Sequence, residues 1–244
     1  MSMSRRSPKM QVEIWSDVMC PFCYIGKRRF DQALASFDHK DQVEPVWKSF
    51  QLAPDIKTSP GKNLHQYLAE HKGISLGEAK QMNARVTEMA RQAGLTYRFD
   101  QAVVANSRNA HRFSHFARHH GRQHEAEELL FHAYFTEGKN IDDYETLIQL
   151  GVEIGLDEPA LRSALEAGSY DKEVQADIQE ANEIGIRGVP FFIFDHKYAV
   201  SGAQSLEIFQ SALNKSFTEW SARQPSFESL DVSGNICTPG GDCQ

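Results

Sequence analysis

Several things are missing from this sequence of 244 residues. No stretch is apolar for long enough to span a bilayer. The first nine residues carry Arg5, Arg6 and Lys9, which superficially suggests a secretory or twin-arginine leader. No apolar segment follows them, because Glu13 and Asp17 interrupt it. The expectation is a cytoplasmic protein without membrane partners. Long basic runs are also missing, and the formal net charge is −7. That excludes nucleic-acid binding by phosphate neutralisation as the leading reading. No internal repeat or low-complexity tract appears. Cysteine is scarce, with four residues in two close pairs, Cys20/Cys23 and Cys237/Cys243. In a reducing compartment such pairs are more often catalytic or metal-binding than structural. A zinc site would need both pairs to converge from opposite ends of the chain, against the usual local spacing, so no metal is expected.

What is present centres on Cys20-Pro21-Phe22-Cys23. This stretch follows a strand-like run, Val12-Glu13-Ile14-Trp15, and opens a helical pattern. Two cysteines three apart on a helix share one face, close enough for a disulfide if the backbone cooperates. The first helical turn leaves N–H groups without partners and carries partial positive charge. A thiolate at Cys20 is therefore expected to be stabilised, with its pKa below that of a free thiol. Pro21 suits the first turn, needing no hydrogen bond there. Cys23 sits one turn deeper and is expected to be the less exposed sulfur. One thiol is placed to attack and the other to resolve. The competing reading is a pair of buried structural thiols.

Along the chain, residues 10–16 read as a strand, 20–38 as a helix and 43–52 as a second strand. Pro45 places that second strand at a sheet edge or marks the strand's true start. This is β-α-β, with a crossover long enough for a parallel pair. Ala53 to Gly61 reads as a linker, and no convincing strand appears from Asn63 to Gly185. Ser75-Leu76-Gly77-Glu78 has the capping-box form. The helix it opens carries the stripe Met82, Val86 and Met89, read as core. Helices are also expected at 63–71, 107–120, 123–137, 142–154, 158–167 and 170–184. Strands return at Phe191 to Phe194 and Tyr198 to Val200, joined by a tight turn in which His196 takes positive φ. A helix over 204–222 follows. The expected fold class is α/β, a small mixed four-stranded sheet built as β-α-β … β-β-α and interrupted by a large all-helical insertion. Residues 10–57 and 186–224 would form the sheet domain and 58–185 the insertion, which covers one side of the sheet. Residues 225–244 would be a flexible tail with the second cysteine pair.

This arrangement resembles the thioredoxin superfamily in its DsbA-like branch, in which a helical domain interrupts the thioredoxin fold. It is most similar to the FrnE-like proteins, close to the 2-hydroxychromene-2-carboxylate isomerases. The resemblance rests on Ser16-Asp17 before Cys20-Pro21-Phe22-Cys23 and on Asn106-Ser107-Arg108-Asn109-Ala110-His111-Arg112. It continues through Gly188-Val189-Pro190-Phe191-Phe192 and Tyr198-Ala199-Val200-Ser201-Gly202-Ala203-Gln204. It implies a thioredoxin-like fold, catalysis by Cys20 and Cys23, and a cis peptide before Pro190 that turns Val189 toward the sulfurs. Pro21, Phe22, Val189 and Pro190 would then position substrate, an extended segment pairing with Val189. Asn106 and His111 become candidate contacts to substrate or glutathione, with helix capping by Asn106 as the equal alternative.

Departures from the family's pattern also inform. The isomerase relatives use glutathione and lack the second thiol, whereas both cysteines are present here, which favours dithiol exchange. Phe22 stands where secreted DsbA proteins carry histidine and adds no positive charge. Asp17 is the nearest candidate for the buried acid of those proteins, with a helix N-cap as the alternative. The leading reading is a cytoplasmic thiol–disulfide oxidoreductase, extending to disulfide isomerase activity, that acts on protein or small thiol and disulfide substrates. It needs no cofactor, with glutathione a candidate co-substrate. The alternatives are a glutathione-dependent small-molecule isomerase or transferase and a non-catalytic binding module. Cys237 and Cys243 are a candidate auxiliary redox pair, with incidental thiols as the rival. His111, His115 and His119 share a helical stripe read as a polar face rather than a metal site. Glu125, Glu127 and Glu128 read as a solvated face. Oligomeric state is left open.

Overall fold

The computed structural model of the chain describes residues 8–224. Strand β1 (Met10–Ser16) is followed by helix α1 (Pro21–Ala35) and strand β2 (Val43–Ser49). β1 and β2 pair in parallel, with Ile14 opposite Trp47. After a helical segment come β5 (Phe191–Phe194), β6 (Tyr198–Ser201) and α9 (Leu206–Ala222). The four strands lie in the order β2-β1-β5-β6, with β5 antiparallel to both neighbours. Pro45 therefore sits on an edge strand, where its missing N–H costs no ladder bond. The turn between β5 and β6 holds both Asp195 and His196 at φ 52°.

The sheet buries both faces, for reasons visible in its side chains. Val12, Ile14, Phe192 and Phe194 point to one side and are closed over by α1 and α9 through Phe30 and Phe209. The Phe192 and Phe209 rings meet edge-on at 4.7 Å, as aromatic quadrupoles prefer. Trp15 points to the other side, against Ala181 and Ile186. Ala181 belongs to α8 (Asp171–Glu183), the last helix of the insertion, so the insertion covers this face of the sheet.

The insertion carries α2 (Leu64–Lys72), α3 (Leu76–Gln92), α4 (Arg108–His119), α5 (Gln123–Phe135), α6 (Tyr144–Glu153) and α7 (Glu158–Glu166) ahead of α8. The capping box at Ser75 and Glu78 forms in both directions. The segment is not strand-free, however. β3 (Ser59–Asn63) pairs with the two residues of β4 (Val103–Val104) across a register shift. Two residues are too few to show an alternating pattern, and Ser59 to Gly61 have the composition of a linker. Met82 is also not core. It is exposed, while Val86 and Met89 are half-buried against the core and Ala79 and Ala90 are fully covered.

The acidic run on α5 departs further from expectation. Glu125 is exposed and pairs with Arg122. Glu127 is buried and accepts from Ser114 Oγ at 2.5 Å, and burial pushes its carboxyl above the usual range. Glu128 accepts from Tyr24 Oη at 2.7 Å and from Lys27 Nζ at 2.8 Å, and it also pairs with Arg28. Glu127 and Glu128 thus satisfy groups that packing against α4 and α1 has taken out of water, which a run of glutamates does not reveal.

A second buried polar knot joins α8 to the sheet. Asp177 Oδ2 accepts from the Ser49 N–H at 2.8 Å and lies 2.9 Å from His115 Nε2, and Trp15 Nε1 donates to the Asp177 carbonyl at 3.1 Å. Burial disfavours the Asp177 charge, yet His115, the Ser49 amide and Lys48 outweigh it and hold the carboxyl below its usual range. Asp177→Ala strands a buried amide and an imidazole and is expected to destabilise the fold by about 2–4 kcal/mol in urea unfolding. Because the folded carboxyl titrates low, its stabilisation is present above pH ~4 and lost on acidification. The wild type should therefore lose stability between roughly pH 4 and 2 more steeply than Asp177→Asn.

Candidate functional site

Cys20 is the N-cap residue of α1, in extended conformation at φ −85° and ψ 112°, with Pro21 in the first turn. Its N–H donates to the Asp17 carbonyl at 2.9 Å, and the Cys23 N–H donates back to the Cys20 carbonyl at 3.0 Å. No side chain caps this helix, and Cys20 stands at its N-terminus, where first-turn amides lack partners and partial positive charge gathers. Both described cysteines are free thiols. Cys20 keeps 5% of its surface and Cys23 keeps 1%.

The ordering of the two exposures matches the expectation, but Cys20 is far more covered than an open attacking thiol. The cover is the loop before β5. Cys20 Sγ donates to the Val189 carbonyl at 3.6 Å, and the Val189–Pro190 peptide is cis. Gly26 makes this approach possible, because a Cβ there would lie 2.9 Å from Pro190 Cγ and 3.5 Å from Phe192 Cζ. The Cys20 sulfur thus lies in a slot beside Val189. Phe22, 40% exposed, stands on the same helical turn as the sulfurs. A groove of about 430 Å³ is lined by Arg187, Gly188, Val189 and Pro190 together with Ser201 and Gly202.

Cys23 is buried beneath this slot. Burial, followed by the adjacent Cys20 sulfur, pushes its thiol well above the ordinary value, while the Asp17 amide and Ser16 hydroxyl pull the other way. Asp17 does not cap α1 with its side chain. It is fully buried, with Oδ1 accepting from the Met19 N–H at 3.2 Å and Oδ2 from the Leu52 N–H at 2.8 Å. Asp17 thus ties the loop that carries the dithiol to the end of β2.

The candidate substrate contacts in the insertion are placed differently from expectation. His111 is only 3% exposed and faces Asp17, with Nε2 3.7 Å from Oδ1. Asn106 spends its side chain on the chain itself. Its Nδ2 donates to the carbonyls of Pro54 and Ile56 at 3.0 and 2.9 Å. Its Oδ1 accepts from Gln51 Nε2 at 3.1 Å and from the Arg108 N–H at 2.8 Å, the latter at the start of α4. Asn106 is therefore a clamp on the segment after β2. The histidine stripe is split among separate tasks: His115 sits on Asp177, and His119 packs on Tyr170 at 5.1 Å. Two of its three members are buried rather than on a polar surface, because the α4 face they share turns inward. Among the described residues no three His, Cys, Asp or Glu side chains are gathered to hold a metal, and no helix is long and apolar enough to cross a membrane. Cys237 and Cys243 lie outside the described residues.

Sequence reasoning missed Tyr97. Its hydroxyl donates to the Pro21 carbonyl at 2.6 Å, and its ring stacks on Phe135 at 4.6 Å. Burial, then the nearby Cys20, Tyr24 and Cys23, raise its hydroxyl pKa, so it remains a neutral donor on the turn that carries the two cysteines. The available signal was the alternation of Leu95, Tyr97 and Phe99, all buried. Gly26→Ala is expected to push Pro190 away from α1, destabilising the protein by about 1–3 kcal/mol. It should also change the rate at which iodoacetamide alkylates Cys20, read by mass spectrometry.

Comparison with known proteins follows the same lines. The family described as DSBA-like thioredoxin domain matches residues 11–214. YwbO of Bacillus subtilis (strain 168) is 30% identical over 207 residues, covering 84% of this chain and 96% of its own. The crystal structure of a probable DsbA oxidoreductase from Streptomyces coelicolor is 35% identical with a TM-score of 0.79, covering 96% of this chain and 98% of that one. A 2-hydroxychromene-2-carboxylate isomerase structure is similar in fold alone, at 17% identity and a TM-score of 0.64, over 88% of this chain and 100% of its own. With its mixed sheet, its dithiol at the start of α1 and this match across most of its length, the chain belongs to the DSBA-like thioredoxin domain family.

Proposed function

We propose that the protein is a cytoplasmic thiol–disulfide oxidoreductase that acts through Cys20 and Cys23 on protein disulfides and extends to their isomerisation. The observation that carries this reading is the juxtaposition of Cys20 Sγ, at a helix start, with the Val189 carbonyl 3.6 Å away, above a second, buried thiol. Cys20 thiolate attacks one sulfur of a substrate disulfide and forms a mixed disulfide, and the other substrate sulfur leaves as a thiolate that takes up a proton. Cys23 then loses its proton and attacks Cys20 Sγ. The substrate sulfur leaves as the second thiol, and Cys20 and Cys23 end as a disulfide. Two electrons pass from enzyme to substrate, and the reverse sequence oxidises a substrate dithiol. Isomerisation requires only that Cys20 attack and leave again.

The protein supplies three further elements. Val189 offers backbone to an extended segment on either side of the substrate cysteine. The groove along Arg187 and Gly188 has room for that segment. Burial keeps Cys23 protonated until the mixed disulfide forms, so Cys20 is the sulfur that meets substrate. No metal or organic cofactor takes part in these steps. Glutathione, as a small thiol, is the candidate that returns the enzyme to the reduced state in a reducing compartment. The second cysteine pair is a candidate for passing electrons to the first.

Cys23→Ser is expected to accumulate mixed disulfides with proteins on non-reducing gels, and Cys20→Ser to accumulate none. A glutathione-dependent small-molecule isomerase would instead remain active with Cys23→Ser and trap no proteins. A binding module would tolerate both substitutions without change in ligand binding. At neutral pH, iodoacetamide should modify Cys20 at least tenfold faster than Cys23, and equal rates would contradict the assignment of attacking and resolving thiols.

A further inference from the structure

On the loop that carries the dithiol lies a buried carboxylate with no assigned chemical task. Asp17 is 0% exposed, and two buried side-chain atoms of the insertion, His111 Nε2 and Tyr134 Oη, make no hydrogen bond among the described residues. They belong to different elements, α4 and α5. Burying polar atoms without partners is costly, and the Asp17 charge acts on both of them.

Asp17 is also wired to both cysteines. Its carbonyl accepts from the Cys20 N–H at 2.9 Å, and its amide and the Ser16 hydroxyl reach the Cys23 sulfur. Its carboxylate is fixed by the Met19 and Leu52 amides. A fixed negative charge next to a dithiol disfavours any thiolate there. The cation placed to compensate it is His111, 3.7 Å away and 3% exposed. Burial disfavours imidazolium, yet the Asp17 carboxylate, with the charges of Glu127 and Asp177, raises the His111 pKa above its ordinary value. The groups acting on this pair include Glu127 and Tyr134 from α5 and Asp177 from α8, with His115 further along α4. Lys27 of α1 bears on it through Glu127.

We propose that His111, a residue of the helical insertion, is a positioning residue for the dithiol. As imidazolium it cancels the Asp17 charge, and through Asp17 it sets how strongly the reduced pair holds a thiolate. This rests on Cys20 and Cys23 being the working dithiol. It assigns the insertion an electrostatic part in the chemistry besides covering the sheet. When His111 loses its proton the local charge becomes −1, and the reduced form is held less well.

The test is a cycle of the full-length wild type, His111→Asn, Asp17→Asn and the double variant. Each is equilibrated with glutathione buffers at pH 7 and acid-quenched, and the redox state of the Cys20/Cys23 peptide is read by mass spectrometry. His111→Asn should move the equilibrium toward the disulfide by about tenfold, the effect of one pKa unit, or about 30 mV for this two-electron couple. In the Asp17→Asn background the same substitution should change it less than about twofold, because the charge it balances is gone. An equal shift in both backgrounds, or none in either, overturns the proposal. A second measurement does not depend on the variants folding. Linkage is reciprocal, so His111 should titrate at higher pH in the dithiothreitol-reduced wild type than in the oxidised one, read by NMR of the imidazole. Coincident titration curves overturn the proposal. Failure of wild-type Cys20/Cys23 to exchange with glutathione at all would instead count against the proposed function, with the titration still deciding the role of His111.

Discussion

The structure depends on the close approach of the first turns of α1 to the loop that enters β5. A single missing side chain, at Gly26, permits it, and a single buried ring, Phe192, backs it from the sheet. Everything chemical follows from that contact. It brings the Val189 carbonyl to the Cys20 sulfur and leaves Cys23 under cover. The four-stranded sheet serves as the platform, since β1 carries the dithiol loop and β5, hydrogen-bonded beside it, carries Pro190.

The insertion does more than enclose the sheet. Tyr97 donates to the Pro21 carbonyl, Glu128 gathers Tyr24, Lys27 and Arg28 of α1, and Asp177 binds the end of β2. Each contact reaches the dithiol or an element next to it; Tyr97 and Asp177 do so as buried groups, and the half-buried Glu128 does so by holding the buried Lys27, where a lost partner is costly. A helix packed only through apolar surface could slide without large penalty. One pinned by buried ion pairs and amide contacts has a single register, so the geometry around Cys20 is set from both halves of the chain.

Much of this was legible in the sequence, for identifiable reasons. The cysteine pair at the start of α1 could be read because spacing of three, a proline between and an upstream strand jointly define a helix mouth. The β-α-β and β-β-α ends could be read because their apolar runs are long and their turns marked. The two-residue β4 could not, because it is too short to have a period. Glu127 and Glu128 looked like solvated residues because charge in a sequence says nothing about which helix will pack over it.

The sequence by itself determined the local order: where each helix starts, that two sulfurs share one turn, and that Pro45 belongs at an edge. Those are short-range matters of backbone sterics, capping and periodicity, settled within about one turn or strand. Only the tertiary structure decided that Asn106 clamps the segment after β2, that His111 faces Asp17, that Tyr97 reaches the active-site turn, and that Cys20 is nearly covered. These contacts join residues from 50 to 169 positions apart, as 20 to 189 and 21 to 97 illustrate. Their existence depends on how whole elements pack, and nothing within one turn of either partner encodes it.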